Sequence, residues 1–346
     1  MKKYYNLYEK LKKQIISGEY KPYDKLPSKR VTSLITGYSQ ITVQNAYALL
    51  EQEGYIVSKE RSGYYVCDIN AFDVSKSKNT LRTMLEEPKA DESEQFEYSL
   101  WFKTVRKVIG ERYTELFIKA ETAGCAVLRN AISNYLARYR GMIAEPKRII
   151  IGSGAEQLYE IAVKLIGRDK IYGIENPSYK QIEMVYLQEG VKVCKLSMGE
   201  DGILSSELEN KSFDVLHVTP FSSYPSGVTA SVKKRYEYLS WAEKENRFII
   251  EDDFSSEFFI PGNPIESLFA MSDKRVIYIN TFSKSLSSSM RIGYMILPES
   301  LLSVYENTFS GFSCSVPVLD QYVLAEFIEN GSFERHLNRV RRKIKE

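Results

Sequence analysis

Between residues 148 and 280, short strand-like runs alternate with amphipathic segments, and this alternation restricts the fold more than any other feature. The runs RIIIG, KIYGIE, FDVLHVTP, RFIIEDD and RVIYIN are rich in Val, Ile or aromatic residues, as strands are. Helical patterns such as GAEQLYEIAVKLI, SYKQIEMVYLQEG and RYEYLSWAEKEN separate them. Strands that alternate with helices favour an α/β fold with a largely parallel sheet, which we expect to occupy residues 96–346.

The N-terminal segment follows a different pattern. Apolar residues recur at helical spacing from Tyr4 to Ile15, and a second helix is expected to start at Ser28. A third is expected from Ser39, with apolar positions that include Ile41 and Leu50, and the run YIVSKERSGYYV alternates as a hairpin does. Three short helices and a hairpin predict a winged helix-turn-helix domain over residues 1–67, followed by a polar linker over 68–95.

Charge and composition limit the classes of function. Residues 1–67 contain eleven Lys or Arg and six Asp or Glu, which gives 11 − 6 = +5, whereas the whole chain carries +2. A basic N-terminal domain on a mildly acidic body is typical of a protein that binds DNA through that domain. The four cysteines have no paired spacing and only two histidines are present, so we expect neither disulfides nor a metal site. Without a signal peptide or membrane span in the sequence, we expect a cytoplasmic protein.

Polar side chains at the N-terminal domain are candidates for DNA contacts. The start of the third helix would place its first turns against base edges, and the Ser-Gly tip of the hairpin would let the wing approach the minor groove. A basic residue of the second helix would contact phosphate. The predicted DNA-binding residues are Arg30, Gln40, Thr42, Gln44, Ser62 and Gly63. The alternative is that these side chains form only the polar surface of a small helical domain.

Several residues at predicted strand ends fit the requirements of one cofactor, pyridoxal 5'-phosphate. This cofactor needs a lysine for its aldehyde, a carboxylate for its ring nitrogen, a phosphate site and an aromatic ring to stack on. Lys284 follows the strand RVIYIN, and Asp252 ends the strand RFIIED. The turn 152–157 opens a helix, whose N-terminal amides favour phosphate, and Arg291 adds a positive charge. Tyr179 supplies the aromatic face.

The N-terminal domain resembles the GntR-type winged helix. The matching segments are LPSKR, ITVQNAYALLEQEGYI and RSGYYV, within residues 4–67. The resemblance implies binding to a double-stranded DNA operator. Two positions depart from the family pattern: Gln40 replaces the usual arginine, and Pro22-Tyr23 replaces the usual Pro-Gly.

The body resembles the fold-type I aminotransferases, and the whole chain resembles the MocR branch that joins them to a GntR-type domain. The segments SGAEQ, ENPSY, VTPFSSYPSGVTAS, IIEDDFSSEF and FSKSLSSSMRIGY carry this resemblance. It implies that Lys284 forms the internal aldimine, Asp252 pairs with the pyridine nitrogen and Tyr179 stacks on the ring. It also implies a set of phosphate-binding residues: Ser153, Gly154, Ala155, Thr281, Ser283 and Arg291.

Three departures from the family bear on activity. Phe254 stands where the family usually has a tyrosine that bonds the phenolic oxygen of the cofactor, and Tyr224 stands where aminotransferases have an asparagine. The chain stops at HLNRVRRKIKE, whereas family members continue into a further small domain. We therefore expect the body to lack its C-terminal subdomain, and full transaminase activity is not expected.

Three hypotheses follow from the sequence. The first is a PLP-dependent transcriptional regulator that senses a small amine, an amino acid or a vitamer through Lys284, acting as a homodimer. The second is an aminotransferase whose DNA-binding domain is incidental. The third is a DNA-binding regulator whose degenerate body holds no cofactor and serves only for dimerisation.

Overall fold

The computed structural model describes residues 3–52, 55–59, 62–67, 98–258 and 266–345. The chain divides into two compact units, Met1–Lys89 and Ala90–Glu346. The predicted linker, 68–95, lies outside the described residues. The boundaries 1–67, 68–95 and 96–346 therefore stay a prediction.

The N-terminal unit is the predicted winged helix-turn-helix. Its elements are α1 (Lys3–Ile16), α2 (Lys29–Thr36), α3 (Gln40–Gln52), β1 (Ile56–Lys59) and β2 (Gly63–Val66). Ser28 caps α2 by accepting a hydrogen bond from the amide of Val31 at 3.3 Å, as its position in the sequence predicted. The two strands pair antiparallel, with Ile56 opposite Val66 and Lys59 opposite Gly63.

A small apolar core holds this unit together. The predicted face of α1 is buried at Leu7, Tyr8, Leu11 and Ile15, and α3 contributes Val43, Ala46, Tyr47 and Leu50. The hydroxyl of Tyr47 lies 2.8 Å from Thr32 Oγ1 in α2 and donates to the carbonyl of Pro27 at 2.8 Å. Ile41, which the apolar pattern grouped with the core positions of α3, is instead 73% exposed.

The C-terminal unit has the predicted α/β architecture. Its helices are α4 (Tyr98–Glu111), α5 (Ala126–Arg140), α6 (Ala155–Ile166), α7 (Lys180–Gln188), α8 (Ser205–Asn210), α9 (Val232–Lys244), α10 (Leu268–Met271), α11 (Leu302–Thr308), α12 (Val318–Glu329) and α13 (Ser332–Lys345). Its strands are β3 (Ile149–Gly152), β4 (Ile171–Asn176), β5 (Lys192–Gly199), β6 (Gly202–Ile203), β7 (Val215–Val218), β8 (Phe248–Asp252), β9 (Val276–Thr281) and β10 (Gly293–Ile296).

The strands of this unit form one sheet in the order β3-β10-β9-β8-β7-β4-β5-β6. Strands β9, β8, β7, β4 and β5 run parallel, whereas β10 lies antiparallel between β3 and β9. Since β10 reverses direction between them, β3 points the same way as β9. The carboxyl ends of β3, β4, β7, β8 and β9 therefore meet at one edge of the sheet, and β10 begins at that same edge.

Both faces of the sheet are covered by helices, as a parallel sheet requires. On one face, Ile150, Ile250 and Ile279 pack with α6, α7 and α11, in a cluster that also contains Tyr186. On the other face, Ile249 and Tyr278 pack with α5, α9, α12 and α13. Within the part of the chain that the structure describes, no helix combines the length and the apolar content needed to cross a bilayer.

Candidate cofactor site

The edge where the parallel strands end carries a cavity of about 400 Å³. The predicted site residues that line it are Ala155, Tyr179, Asp252, Thr281, Ser283, Lys284 and Arg291. The other lining residues are Glu156, Tyr159, Gln181, Ile182, Thr219, Tyr224, Phe254 and Ser288. Residues that are far apart in the chain meet here because ligands of open α/β sheets bind at the carboxyl ends of the strands.

Asp252 is buried at the end of β8, and side chains from neighbouring elements fix its orientation. The hydroxyl of Tyr159, from α6, donates to Asp252 Oδ2. Burial and the neighbouring carboxylate raise the pKa of Tyr159 well above its usual value, so this tyrosine stays protonated and keeps donating. The imidazole Nε2 of His217 lies 3.8 Å from the same oxygen, while its Nδ1 lies 2.6 Å from the hydroxyl of Tyr186. Asp252 thus has a fixed orientation towards the cavity.

Lys284 reaches the cavity from the loop between β9 and β10. Its Nζ lies 4.8 Å from the ring centre of Phe254 and 5.6 Å from that of Phe258. These separations are within the range of cation–π attraction, so both rings stabilise this position of the Lys284 side chain. The Phe254 ring brings no hydroxyl to this place.

Arg291, at the end of the same loop, also lines the cavity. Its guanidinium donates to the carboxylate of Glu156, in the first turn of α6. It also lies over Gly154, where an added Cβ would come within 3.0 Å of Arg291 Nη2. Gly154 has φ +104°, a conformation that disfavours side chains, so the backbone favours glycine here and a Cβ would also crowd the Arg291 guanidinium.

Ser153 is placed differently from the other predicted phosphate-binding residues. Its amide donates to Gln157 Oε1 at 2.7 Å, and its hydroxyl donates to the same atom at 3.1 Å. Ser153 lines a neighbouring cavity of about 300 Å³, which it shares with Arg291. The structure therefore gathers most of the predicted set around one cavity but not Ser153, and Gly154 only through its contact with Arg291.

Two tyrosines stand at the mouth of the cavity. The rings of Tyr179 and Tyr224 meet edge to face, with centroids 6.1 Å apart. Ser223 precedes Tyr224 in the chain, and its hydroxyl donates to Glu175 Oε2 at 2.5 Å. The amide of Thr219 donates to Glu175 Oε1 at 3.2 Å. Burial raises the pKa of Glu175 to about 8. This carboxyl group connects the end of β4 to the segment that carries Tyr224.

The predicted DNA-binding residues lie on the surface of the N-terminal unit. The side chains of Arg30, Gln40, Gln44 and Ser62 are exposed, while Thr42 and Gly63 are half-buried. The hydroxyls of Thr42 and Ser62 already have partners, Ser39 Oγ at 2.9 Å and the Tyr65 hydroxyl at 2.7 Å respectively. Their role in binding DNA stays a prediction.

Sequence reasoning missed three side chains of the cavity region. Glu156 lies inside the predicted phosphate turn but was not recognised as a partner of Arg291. Tyr159 and His217 support Asp252 from two different elements. A helical repeat places Tyr159 on the buried face of α6, and this is the only signal that the sequence carries for it.

Comparison with known proteins agrees with this two-part structure. Residues 3–66 match the family "Bacterial regulatory proteins, gntR family", and residues 110–346 match "Aminotransferase class I and II". The curated relatives share both parts. "Uncharacterized HTH-type transcriptional regulator YdeL" of Bacillus subtilis is 34% identical over 98% of this chain and 76% of its own length. The chain belongs to the MocR-type branch of the GntR family. It is an HTH-type transcriptional regulator with an aminotransferase-like domain.

Two further relatives of this MocR-type regulator have more specific names. "Probable rhizopine catabolism regulatory protein MocR" of Rhizobium meliloti is 28% identical over 97% of this chain and 73% of its own length. "HTH-type pyridoxine biosynthesis transcriptional regulator PdxR" of Corynebacterium glutamicum is 27% identical over 97% of this chain and 75% of its own length.

Solved structures confirm the fold of the body. An archaeal alanine:glyoxylate aminotransferase superposes with a TM-score of 0.65 at 23% identity, over 76% of this chain and 69% of that chain. Kynurenine aminotransferase of Pyrococcus horikoshii superposes with a TM-score of 0.67 at 21% identity, over 80% of this chain and 74% of that chain. The aminotransferase class I and II fold is in general dependent on pyridoxal phosphate.

Proposed function

We propose that this MocR-type regulator binds pyridoxal phosphate in the cavity of its body and couples that site to DNA binding. The observation that carries the proposal is that Lys284, Asp252 and Arg291 line one cavity. Asp252 ends β8, whereas Lys284 and Arg291 both belong to the loop between β9 and β10. A lysine, a buried carboxylate and an arginine match the aldehyde, the ring nitrogen and the phosphate of this cofactor.

The residues present fit the group in shape as well as in charge. Gly154 leaves the guanidinium of Arg291 room that a Cβ would take away. The amides at the start of α6 lie beside that guanidinium, and a helix N-terminus favours a phosphate dianion. Tyr179, at the mouth, offers an aromatic face. In this proposal Ala155, Thr281 and Ser283 complete the phosphate site, and Ser153 joins it only after releasing Gln157.

The chemistry that pyridoxal phosphate supplies is an aldehyde that reacts reversibly with amines. The protein's own residues then decide how a signal is read. Asp252, oriented by Tyr159, would hold a proton on the ring nitrogen, and Lys284 would bind the aldehyde, for which a small amine or amino acid would compete. The absence of a hydroxyl on Phe254 supports effector sensing rather than steady turnover.

The DNA-binding domain is proposed to act as one of a pair. Exposed apolar side chains follow one another along α4 and the segment after it, at Phe102, Ile109, Tyr113, Phe117 and Ile118. The Phe117 side chain is 92% exposed. Apolar surface of this kind marks protein interfaces, which supports a homodimer that reads two half-sites of an operator. The effector alters DNA binding only if it binds the two states of the protein with different affinities.

The test is the visible spectrum of the purified protein with added pyridoxal phosphate. Wild type is expected to show a new absorption band, and borohydride reduction followed by peptide mass analysis is expected to place the cofactor on Lys284. Lys284→Ala should lose both signals. The matched control is Lys233→Ala, which replaces an exposed lysine on α9, outside the cavity, and should keep both signals.

Two results would overturn the proposal. One is an unchanged spectrum when wild type is titrated with the cofactor. The other is an identical band in Lys284→Ala. A filter-binding or fluorescence assay with operator DNA, with and without cofactor, then shows whether the two sites are coupled.

A further inference from the structure

The exposed face of the recognition helix α3 has a composition that its role as a DNA reader does not by itself require. The side chains of Gln40, Ile41, Gln44, Asn45 and Ala48 are exposed. Their spacing places them on one side of the helix. The opposite side is buried in the core, through Val43, Ala46, Tyr47 and Leu50.

This face combines amide groups with aliphatic groups. Gln and Asn side chains pair with the N6 and N7 atoms of adenine, whereas aliphatic side chains contact the C5-methyl group of thymine. Ile41 is the clearest case, because 73% of its surface is exposed in the first turn, where helix-turn-helix proteins meet base edges. Covering this exposed isoleucine with a methyl group removes apolar surface from water, which favours binding.

The cations of this domain lie elsewhere. Arg and Lys are the side chains that most often recognise guanine, and α3 contains neither between Gln40 and Gln52. Lys29 and Arg30 belong to α2. Lys25 and Lys59 flank the ring of Tyr65 in β2, at 5.9 and 4.8 Å. These cations suit contacts with phosphates, which carry no base selectivity.

We propose that α3 reads an A·T-rich half-site in the major groove, with Ile41 against a thymine methyl group. The inference rests on the proposed DNA-binding function and deepens it, because it names the base pairs that the site takes. In this arrangement the amides of α3 supply hydrogen bonds to adenine, and the cations of α2 and the hairpin supply salt-dependent affinity without base selectivity.

In the experiment, the protein selects its preferred sequences from a pool of DNA duplexes with a randomised central segment. Single thymines of the most enriched duplex are then replaced by deoxyuridine. Deoxyuridine lacks only the methyl group. We expect enrichment of A·T pairs in each half-site, and a loss of about three- to fivefold in affinity at one thymine per half-site, as burial of one methyl group predicts. Ile41→Ala should abolish this loss, whereas Ile41→Val should retain it. Ile143→Ala, at an 85% exposed isoleucine of the other unit, is the control and should leave the loss unchanged.

The outcomes separate this inference from the function on which it rests. If no sequence is enriched over the starting pool, the proposed sequence-specific DNA binding fails. If G·C pairs dominate the half-sites, or if deoxyuridine binds as well as thymine at every position, the A·T inference fails while DNA binding stands. A loss at one thymine that persists unchanged in Ile41→Ala also overturns the assignment of that residue.

Discussion

Replacing Glu156 by glutamine tests how tightly the body holds a phosphorylated ligand. In the structure the guanidinium of Arg291 already has an anionic partner, because it donates to the Glu156 carboxylate. In the proposed function the phosphate of the cofactor would have to share or displace that partner. Arg291 and Glu156 side chains are 54% and 46% exposed, and ion pairs at such positions contribute about 0.2–1 kcal/mol. Glu156→Gln should therefore tighten pyridoxal phosphate binding by roughly 1.4- to 5-fold.

The assay is a titration of visible absorbance with pyridoxal phosphate, repeated with unphosphorylated pyridoxal. The gain should appear only for the phosphorylated form, and it should shrink as salt screens the charges. Glu160→Gln is the matched control, because Glu160 lies one turn further along α6 and pairs with Lys164 at 3.5 Å. A gain for both vitamers, or weaker binding of the phosphorylated form in Glu156→Gln, would refute the reasoning.

Three other predictions concern Gly154 beside Arg291, the buried carboxyl group of Glu175 and the DNA-binding domain. Gly154→Ala should weaken pyridoxal phosphate binding by about tenfold or more and lower the unfolding free energy by about 1 kcal/mol, because its Cβ meets Arg291 and its φ is positive; titration and urea unfolding measure the two effects. The raised pKa of Glu175, about 8, means that its stabilising contribution is fully present below about pH 4.5 and is lost as the pH rises through 8. Urea unfolding at pH 5 and pH 9 should therefore show a smaller loss of stability in Glu175→Gln than in wild type, and equal losses would contradict this. Tyr47→Phe should cost the DNA-binding domain about 1–2 kcal/mol, because it removes two hydrogen bonds of 2.8 Å and leaves Thr32 and the Pro27 carbonyl only their weak 3.5 Å bond to each other; circular dichroism during urea unfolding measures it, and an unchanged midpoint would exclude a structural role for the hydroxyl.

Local sequence rules predicted most of the architecture. Ser28 before α2 and the alternating hairpin are short-range signals, and the structure confirms both. The gathering of Asp252 and Lys284 was also predictable, since Asp252 ends one strand and Lys284 follows the next strand of the same parallel sheet. These expectations succeed because each depends only on neighbouring residues or on strand direction.

Contacts between distant side chains could not be predicted in the same way. The placement of His217 under Asp252 depends on the register between β7 and β8, which pairs His217 with Ile250, and the sequence does not specify it. Ile41 is apolar but faces outwards, because it lies on the side of α3 opposite the buried residues Val43, Ala46, Tyr47 and Leu50. Hydrophobic periodicity identifies a helix, but it does not show which apolar residue a partner will cover.

Strand β10 runs opposite to β9, and this reversal places two residues of the cavity on one loop. The chain leaves the sheet edge after β9 and returns to it before β10, so the single loop 282–292 carries both Lys284 and Arg291. A hydrogen bond from the amide of Phe282 to the carbonyl of Ile292, at 2.9 Å, closes the base of this loop. Any shift of the loop therefore moves Lys284 and Arg291 together, so in the proposed function both ends of a bound cofactor would be released or retained in one motion.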